Sequence, residues 1–303
     1  MRVPAGLLVV GDVVTDVVAR HEGPLAPDTD TAARIAVRPG GAGANVACWA
    51  AREGARVRLL GRVGADSAQW HRDALAAAGV EPVLRVDEQA PTAVVIALVD
   101  AAAERTLVTD SGAAFRLGPA DWSPSLLDGV GRVHLSGYLC FSGPGRELAA
   151  LVLAAARARG LPVSVDPAST GFLARLGVPR FLAVAEGAEL LPNAAEALLL
   201  AGLPPHGDPG AAAEALSARA GGRLVVVTLG RQGALAAEGG TIRARAGALG
   251  AQAVDSTGAG DAFTGAFLAA RLRGAPLADA LAAGCRAGAV AVTRVGARPE
   301  IGS

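Results

Sequence analysis

The sequence contains no lysine: all 28 of its basic residues are arginine. That absence excludes a good deal of chemistry. A Walker-type phosphate loop ends its glycine turn in a lysine, a protein-kinase site needs a strand lysine, and Schiff-base catalysis needs an amine. Aromatic residues make up only 3% and are scattered, so no base-stacking platform for single-stranded nucleic acid is expected. Net charge is absent too, with 28 Arg against 28 Asp and Glu. No basic excess points to nucleic acid or an anionic membrane as a partner. No uncharged apolar run reaches the ~18–20 residues of a transmembrane helix. The apolar stretch at 7–10 is too short for a signal-peptide core. The three cysteines, Cys48, Cys140 and Cys285, show no CxxC spacing. This argues against a disulfide framework or a zinc site and fits a reducing, cytoplasmic setting. Asparagine occurs only at Asn45 and Asn193.

Apolar residues make up 51% and charged residues 18% of the 303 residues, enough for a sizeable core in one large α/β domain or two smaller ones. The segment 7–19 reads as a buried strand, a glycine turn and a second β-rich stretch. A polar loop at 20–37 leads into an edge strand. Helical spacing appears at 45–53 and 67–78, with strand-like residues at 57–64 between them. Residues 93–99 and 105–109 flank a short connection and predict a β-hairpin. From 131 onward the chain alternates. Strands are expected near 133–137, 162–166, 188–193 and 223–230, and a β-segment at 234–246. Helices are expected at 145–159, 194–201, 210–220, 258–273 and 277–293. This rhythm predicts a doubly wound, mostly parallel sheet. The β-rich pieces at 13–37 and 91–112 break the rhythm and read as one small sheet built from two chain excursions.

Four motifs can carry chemistry, and each has a plainer structural reading. Gly40, Gly41 and Gly43 precede a helix that begins near Asn45. Such a turn lets backbone N–H groups approach a ligand, or simply serves as a tight turn with an Asn cap. The run DSTGAGD, 255–261, leads into an amphipathic helix. Its small residues can build an anion hole of N–H groups, with Asp261 in the first turn as proton acceptor. An acid there also simply complements the helix dipole. Asn193 and Glu196 have the spacing of a capping box, and Glu196 is equally a candidate to position hydrated Mg²⁺. Thr228, Gly230 and Gly233 form a turn after an apolar strand, at a sheet edge where ligands commonly bind. Asp12 and Asp16 bracket the end of the first strand, where carboxylates can bind vicinal hydroxyls or stand in a solvated loop. His21, His71, His134 and His206 lack ligand spacing.

Together these motifs resemble the PfkB, or ribokinase-like, family of carbohydrate kinases. One family signature runs through Gly40, Gly41, Gly43, Asn45, Ala47, Gly54 and Gly64, and a second matches 255–268. NAAE, TLGRQG and AVTRVGARPE follow in family order, so the resemblance spans essentially the whole chain. It implies a ribokinase-like α/β domain from 1–12, 38–90 and 113–303, with 13–37 and 91–112 as a β lid. It implies Asp261 as catalytic base and the Gly258, Ala259 and Gly260 amides as the anion hole. Asp16, Gly40, Gly41 and Asn45 match sugar-binding positions; Asp12 is taken with them, and Arg105 on the lid hairpin is expected to reach substrate or phosphate. Asn193, Thr228, Gly230, Gly233 and Cys285 match ATP-binding positions, and Glu196 matches the acid linked to Mg²⁺. Asp255, Thr257, Ala291, Arg294 and Gly296 resemble loops that hold a monovalent cation such as K⁺.

The function implied is ATP- and Mg²⁺-dependent transfer of a phosphoryl group to a primary hydroxyl of a small sugar or sugar acid. Phosphoryl transfer is mostly positioning and electrostatics, so a chain without lysine can perform it. Ribokinase has an amide residue where Val14 stands and a lysine where Ala42 stands, which leaves fructose, keto-deoxy sugar acids and other sugars open. A nucleoside kinase of the same family is the first alternative. A catalytically silent sugar- or nucleotide-binding protein is the second. A dehydrogenase is disfavoured because no GxGxxG follows the first strand. Open β-edges on the lid predict a homodimer through it.

Overall fold

The computed structural model describes residues 5–101, 105–219 and 223–299. The chain opens with β1 (Gly6–Val10), buried along its whole length. β2 (Val14–His21) and β3 (Ala33–Gly40) then leave the main layer as an antiparallel pair. α1 (Ala42–Arg52), β4 (Val57–Gly64), α2 (Ala68–Ala77) and β5 (Val80–Asp87) return to it. A second excursion forms the expected hairpin, β6 (Ala93–Val99) and β7 (Arg105–Asp110). Next come β8 (Val130–Ser136), α3 (Gly143–Ala158), β9 (Val163–Asp166), α4 (Thr170–Leu176) and α5 (Val178–Val184). They are followed by β10 (Glu189–Leu190), α6 (Ala194–Ala201), α7 (Pro209–Ala218) and β11 (Val225–Thr228). The chain ends in β12 (Ala234–Glu238), β13 (Thr241–Ala246), α8 (Ala259–Leu272) and α9 (Leu277–Ala291).

The large sheet has the order β13-β12-β11-β10-β9-β8-β1-β4-β5. Pairing is parallel from β5 across to β11, and β12 and β13 close one edge in antiparallel fashion. β1 lies between β4 and β8, so the chain winds away from it in both directions, which creates a crevice at its carboxyl end. Alternate residues of β1 serve opposite faces. Leu8 and Val10 pack with Leu135, Leu148 and Phe181 on one side, and Leu7 and Val9 with Leu59, Phe267 and Leu281 on the other. Each fully buried Leu contributes ~1.5–3 kcal/mol, so the two layers together pin β1 and its loop firmly.

The two excursions meet in a separate four-stranded sheet of order β3-β2-β6-β7, with β2 and β6 parallel. Several elements differ from expectation. The strand expected at 188–193 is only Glu189–Leu190, because the chain turns at once into α6. The segment 234–246 is a hairpin of two strands around Gly239 and Gly240, both at positive φ. β5 was not anticipated; Pro82 within it is tolerated because β5 is an edge strand. α4 and α5 are short helices that sequence periodicity does not resolve.

Candidate active site

The site begins with two helices packed against each other. A Cβ on Gly265 of α8 would lie 2.6 Å from the Val46 carbonyl oxygen of α1, so only glycine allows this approach. The close packing brings Asn45, buried in the first turn of α1, beside Asp261 in the first turn of α8. The Asn45 Nδ2 amide donates to Asp261 Oδ2 at 2.8 Å. Burial pushes the Asp261 pKa up to about 7; the Asn45 bond opposes this, and the charges of Asp12 and Asp16 add to it. A carboxylate that titrates near neutrality is well matched to proton abstraction. Gly258 caps α8 at φ +73°, and a Cβ there would strike Ala297, which makes glycine obligatory on two grounds. The Ala262 amide is the first to bond within α8, to Gly258 O at 2.8 Å. Before it, Ala259 N already donates to Ser256 O at 3.4 Å, while Gly260 belongs to the first turn, whose N–H groups lack intrahelical partners. Gly260 and Asp261 both line a small cavity of about 230 Å³.

Asp12 is already engaged. Its Oδ2 accepts the Ala42 amide at 2.7 Å; its Oδ1 accepts Gly43 N at 3.2 Å and the Ser136 hydroxyl at 2.7 Å. It therefore anchors the start of α1 at the end of β1, rather than standing in a solvated loop. Asp16 lies on the face of the small sheet that lines the main cleft, with Val14 and Val18. Burial raises its pKa to about 6, moderated by the Arg298 guanidinium. Gly40 is packed so closely that a Cβ would fall on the Asp16 carboxylate, and Gly41 turns at φ +98° against the Asp12 carbonyl. Arg105 opens β7, and its side chain lies outside the described residues.

The main cleft, about 1740 Å³, runs from these residues along the carboxyl edge of the large sheet. A single small ligand fills ~300–1,000 Å³, so the cleft has room for two. Its far end is lined by Thr228, Gly230, Gly233 and Cys285. Asn193 pairs with Thr228 across the sheet edge and caps α6: its Oδ1 accepts Glu196 N at 3.0 Å, while Glu196 Oε2 accepts Asn193 N at 2.9 Å. The capping box is thus real, and Glu196 also lines the small cavity with Asp261.

Two contributors were not named from the sequence. Asp166 ends β9 and lines the same cavity as Glu196 and Asp261. Burial and the neighbouring Glu196 and Asp261 charges hold its carboxyl well above the usual range, and burial raises Glu196 as well. An acid at a strand's carboxyl end, in line with Asn193 and Thr228, was the available signal. Tyr138 is the second; it borders both cavities and packs edge-on against Phe141 and Phe172. The segments carrying Asp255 and Gly296 also converge. Asp255 Oδ1 accepts the Thr257 amide and hydroxyl, and Oδ2 accepts Gly296 N at 3.1 Å. Ala291 and Arg294 flank the same turn, joined by an Arg294 N to Ala291 O bond of 3.3 Å. His71 and His134 are buried and paired with Thr15 and Ser164.

Comparison with known proteins bears on the family and the fold. The family model described as pfkB family carbohydrate kinase matches residues 5–301. Ribokinase from Haemophilus influenzae is 30% identical over 278 residues, covering 90% of this chain and 87% of the relative. Fructokinase from Klebsiella pneumoniae is 33% identical over 307 residues, covering 95% and 94%. A solved E. coli structure, provisionally assigned as ribokinase II and in complex with ATP and Mg²⁺, superposes with a TM-score of 0.83 at 25% identity, covering 97% of this chain and 94% of its own.

Proposed function

Because this chain belongs to the pfkB family of carbohydrate kinases, we propose that it transfers the γ-phosphoryl group of ATP to a primary hydroxyl of a small sugar or sugar acid. The observation that carries this reading is Asp261: a buried carboxyl at a glycine-rich helix start, held by Asn45, with a pKa pushed to about 7. With one oxygen fixed by Asn45, the other accepts the proton of the attacking hydroxyl. The Gly258, Ala259 and Gly260 backbone lies where charge builds on the transferred group. Asp16, Gly40, Gly41 and Asn45 hold the sugar, and Asp12 keeps that turn rigid. Thr228, Gly230, Gly233 and Cys285 border the nucleotide end of the cleft, and Asn193, beside Thr228, lines the adjoining small cavity.

Asp166 and Glu196 fit Mg²⁺: two buried carboxyls face one cavity, and what raises them is burial and, for Asp166, neighbouring acids. Among the described residues, no three metal-binding side chains gather closely enough to hold an ion alone. The ion would therefore keep water and phosphate ligands, with Glu196 acting through water. Mg²⁺ supplies neutralisation of phosphate charge. The loops of Asp255, Thr257, Ala291, Arg294 and Gly296 are assigned to a monovalent cation. The small sheet, 13–37 and 91–112, serves as a lid that excludes water from the cleft. Its outer face supports a homodimer. Val37, Val17, Ile96 and Val108 lie opposite one another across all four strands, with Val37 58% and Val108 52% exposed. A second copy would cover that row.

A second reading, a nucleoside kinase, draws on Phe115 and Tyr138, which line the cleft and can stack on a base. The deciding experiment is ADP release from Mg²⁺-ATP across sugars, sugar acids and nucleosides, with Asp261→Asn in parallel. A substrate turned over by the wild type and lost in the variant supports the kinase reading and names the substrate class. Binding of ATP and sugar without turnover of any acceptor would overturn it in favour of a silent binding protein.

A further inference from the structure

The segment 295–298 joins β3, the Asp255 loop, α1 and the start of α8. The Val295 carbonyl accepts Arg38 Nη1 from β3 at 2.6 Å. Gly296 N donates to Asp255. Ala297 packs beneath Gly258, and its carbonyl accepts Trp49 Nε1 at 2.8 Å. Arg298 then turns inward. Its Nη2 donates to Gly40 O at 2.9 Å and its Nε to Asn45 Oδ1 at 3.4 Å. Asp16, Cys48 and His71 are the titratable groups that feel its charge.

We propose that Arg298 is a positioning residue for the catalytic base: it fixes the side-chain amide of Asn45 so that Nδ2, and not Oδ1, faces Asp261. The logic is one of donors and acceptors. An arginine has only donors, so the Asn45 atom beside it must be the carbonyl oxygen. The Asn45 amide nitrogen is then directed to Asp261 Oδ2. This leaves the other Asp261 oxygen for the substrate. Without Arg298 only the bond to Asp261 would hold the amide, which could then rock about its Cβ–Cγ bond and loosen its grip on Asp261 Oδ2. Because Arg298 also holds Gly40 O, the same guanidinium ties the base to the turn that leaves the lid strand β3. Burial of a guanidinium is costly, and the buried Arg298 Nη1 has no hydrogen-bond partner. A purely packing role would be served by an apolar side chain at lower cost.

The proposal rests on Asp261 being the base, so the test includes a readout that needs no substrate. The chain has only two asparagines, and selective ¹⁵N-Asn labelling therefore gives two side-chain amide signals. In Arg298→Met the Asn45 amide should lose its slow hydrogen exchange, while the Asn193 amide, held in its capping box, stays as in the wild type. Arg298→Lys, which retains a donor and the charge, covers the case in which the methionine variant does not fold, and should recover part of the protection. With substrate in hand, kcat should fall ~10- to 100-fold in Arg298→Met with the KM for ATP unchanged. In an Asn45→Ala background the same substitution should cost less than about twofold, because the group it acts through is gone. Unchanged exchange at Asn45, or a full additive loss in the double variant, would overturn the proposal. A wild type that turns over no acceptor would overturn the kinase reading alone, since the exchange measurement still decides the role of Arg298.

Discussion

The proposed base, Asp261, should be a source of instability, and Asp261→Asn measures how much. The Asp261 pKa moves from an ordinary 3.8 to about 7 on folding. At ~1.4 kcal/mol per tenfold in the proton equilibrium, the ionised group costs the fold up to ~4 kcal/mol. Water in the small cavity that Asp261 lines screens part of this, and about 2 kcal/mol is a reasonable working figure. The sign follows from the direction of the change. Below pH ~4 both folded and unfolded states are protonated, and there is no penalty. Between pH ~4 and 7 the unfolded chain ionises while the folded one does not, so stability falls as pH rises. Above pH ~7 the penalty is complete. Asparagine keeps a carbonyl oxygen for the Asn45 donor and removes the charge. Asp261→Asn should therefore melt at the same temperature as the wild type near pH 4 and about 3 °C higher at pH 8. Thermal unfolding of the ligand-free protein across this range is the assay. A melting-temperature difference that does not grow with pH, or a variant less stable at pH 8, would refute the buried-base argument. The same variant should lose turnover by orders of magnitude, so stability and activity should part company at one residue.

Gly265→Ala should destabilise the protein by ~2–4 kcal/mol, because α1 and α8 must separate to admit a Cβ; chemical denaturation would show it. If the loops joined by Asp255 and Gly296 hold a monovalent cation, the initial rate should be higher in K⁺ than in Na⁺ at equal ionic strength, and equal rates would count against the assignment. Ile96→Asp or Val108→Asp should convert a dimer to monomers in light scattering while leaving melting temperature within about 2 °C, since both side chains are substantially exposed in the isolated chain.

The motifs that could be read from the sequence are those in which backbone geometry dictates the residue. The glycines around Asn45 and before Asp261 mark turns and close approaches, and a glycine is visible in a sequence whatever surrounds it. The box of Asn193 and Glu196 was likewise local, four residues long. The rhythm of strands and helices predicted the parallel sheet because both of its faces are buried, so that each strand reads as an apolar run. Asp166 and Arg298 escaped because their meaning is made by distant partners. Asp166 is one acid in a strand end until folding brings Glu196 and Asp261 to the same cavity. Arg298 lies in a recognisable closing segment, yet its role depends on Asn45 and Gly40, some 250 residues earlier. Even Asp12 needed the fold: only the structure shows its carboxylate bonded to the amides that start α1.

The charge balance of the site makes a last demand. Asp12 and Asp16 line the main cleft and Asp166, Glu196 and Asp261 the small cavity, and the nucleoside triphosphate of the proposed reaction would add further negative charge. No lysine exists to meet it. Arg298 is committed to Gly40 and Asn45, and the α1 amides are committed to Asp12. Arg20, Arg38, Arg231 and Arg294 also line the main cleft, while the start of α8, as a helix terminus, offers only about half a unit charge. If a divalent ion joins these charges as proposed, the acid that steers it should be separable from its structural duty. Glu196→Gln tests this. Glutamine keeps an oxygen for the Asn193 amide, so the cap on α6 persists and the melting temperature should stay within about 2 °C. The Mg²⁺ concentration for half-maximal activity should rise ~10-fold or more. If that concentration is unchanged while the protein loses stability, Glu196 is a helix cap and nothing else.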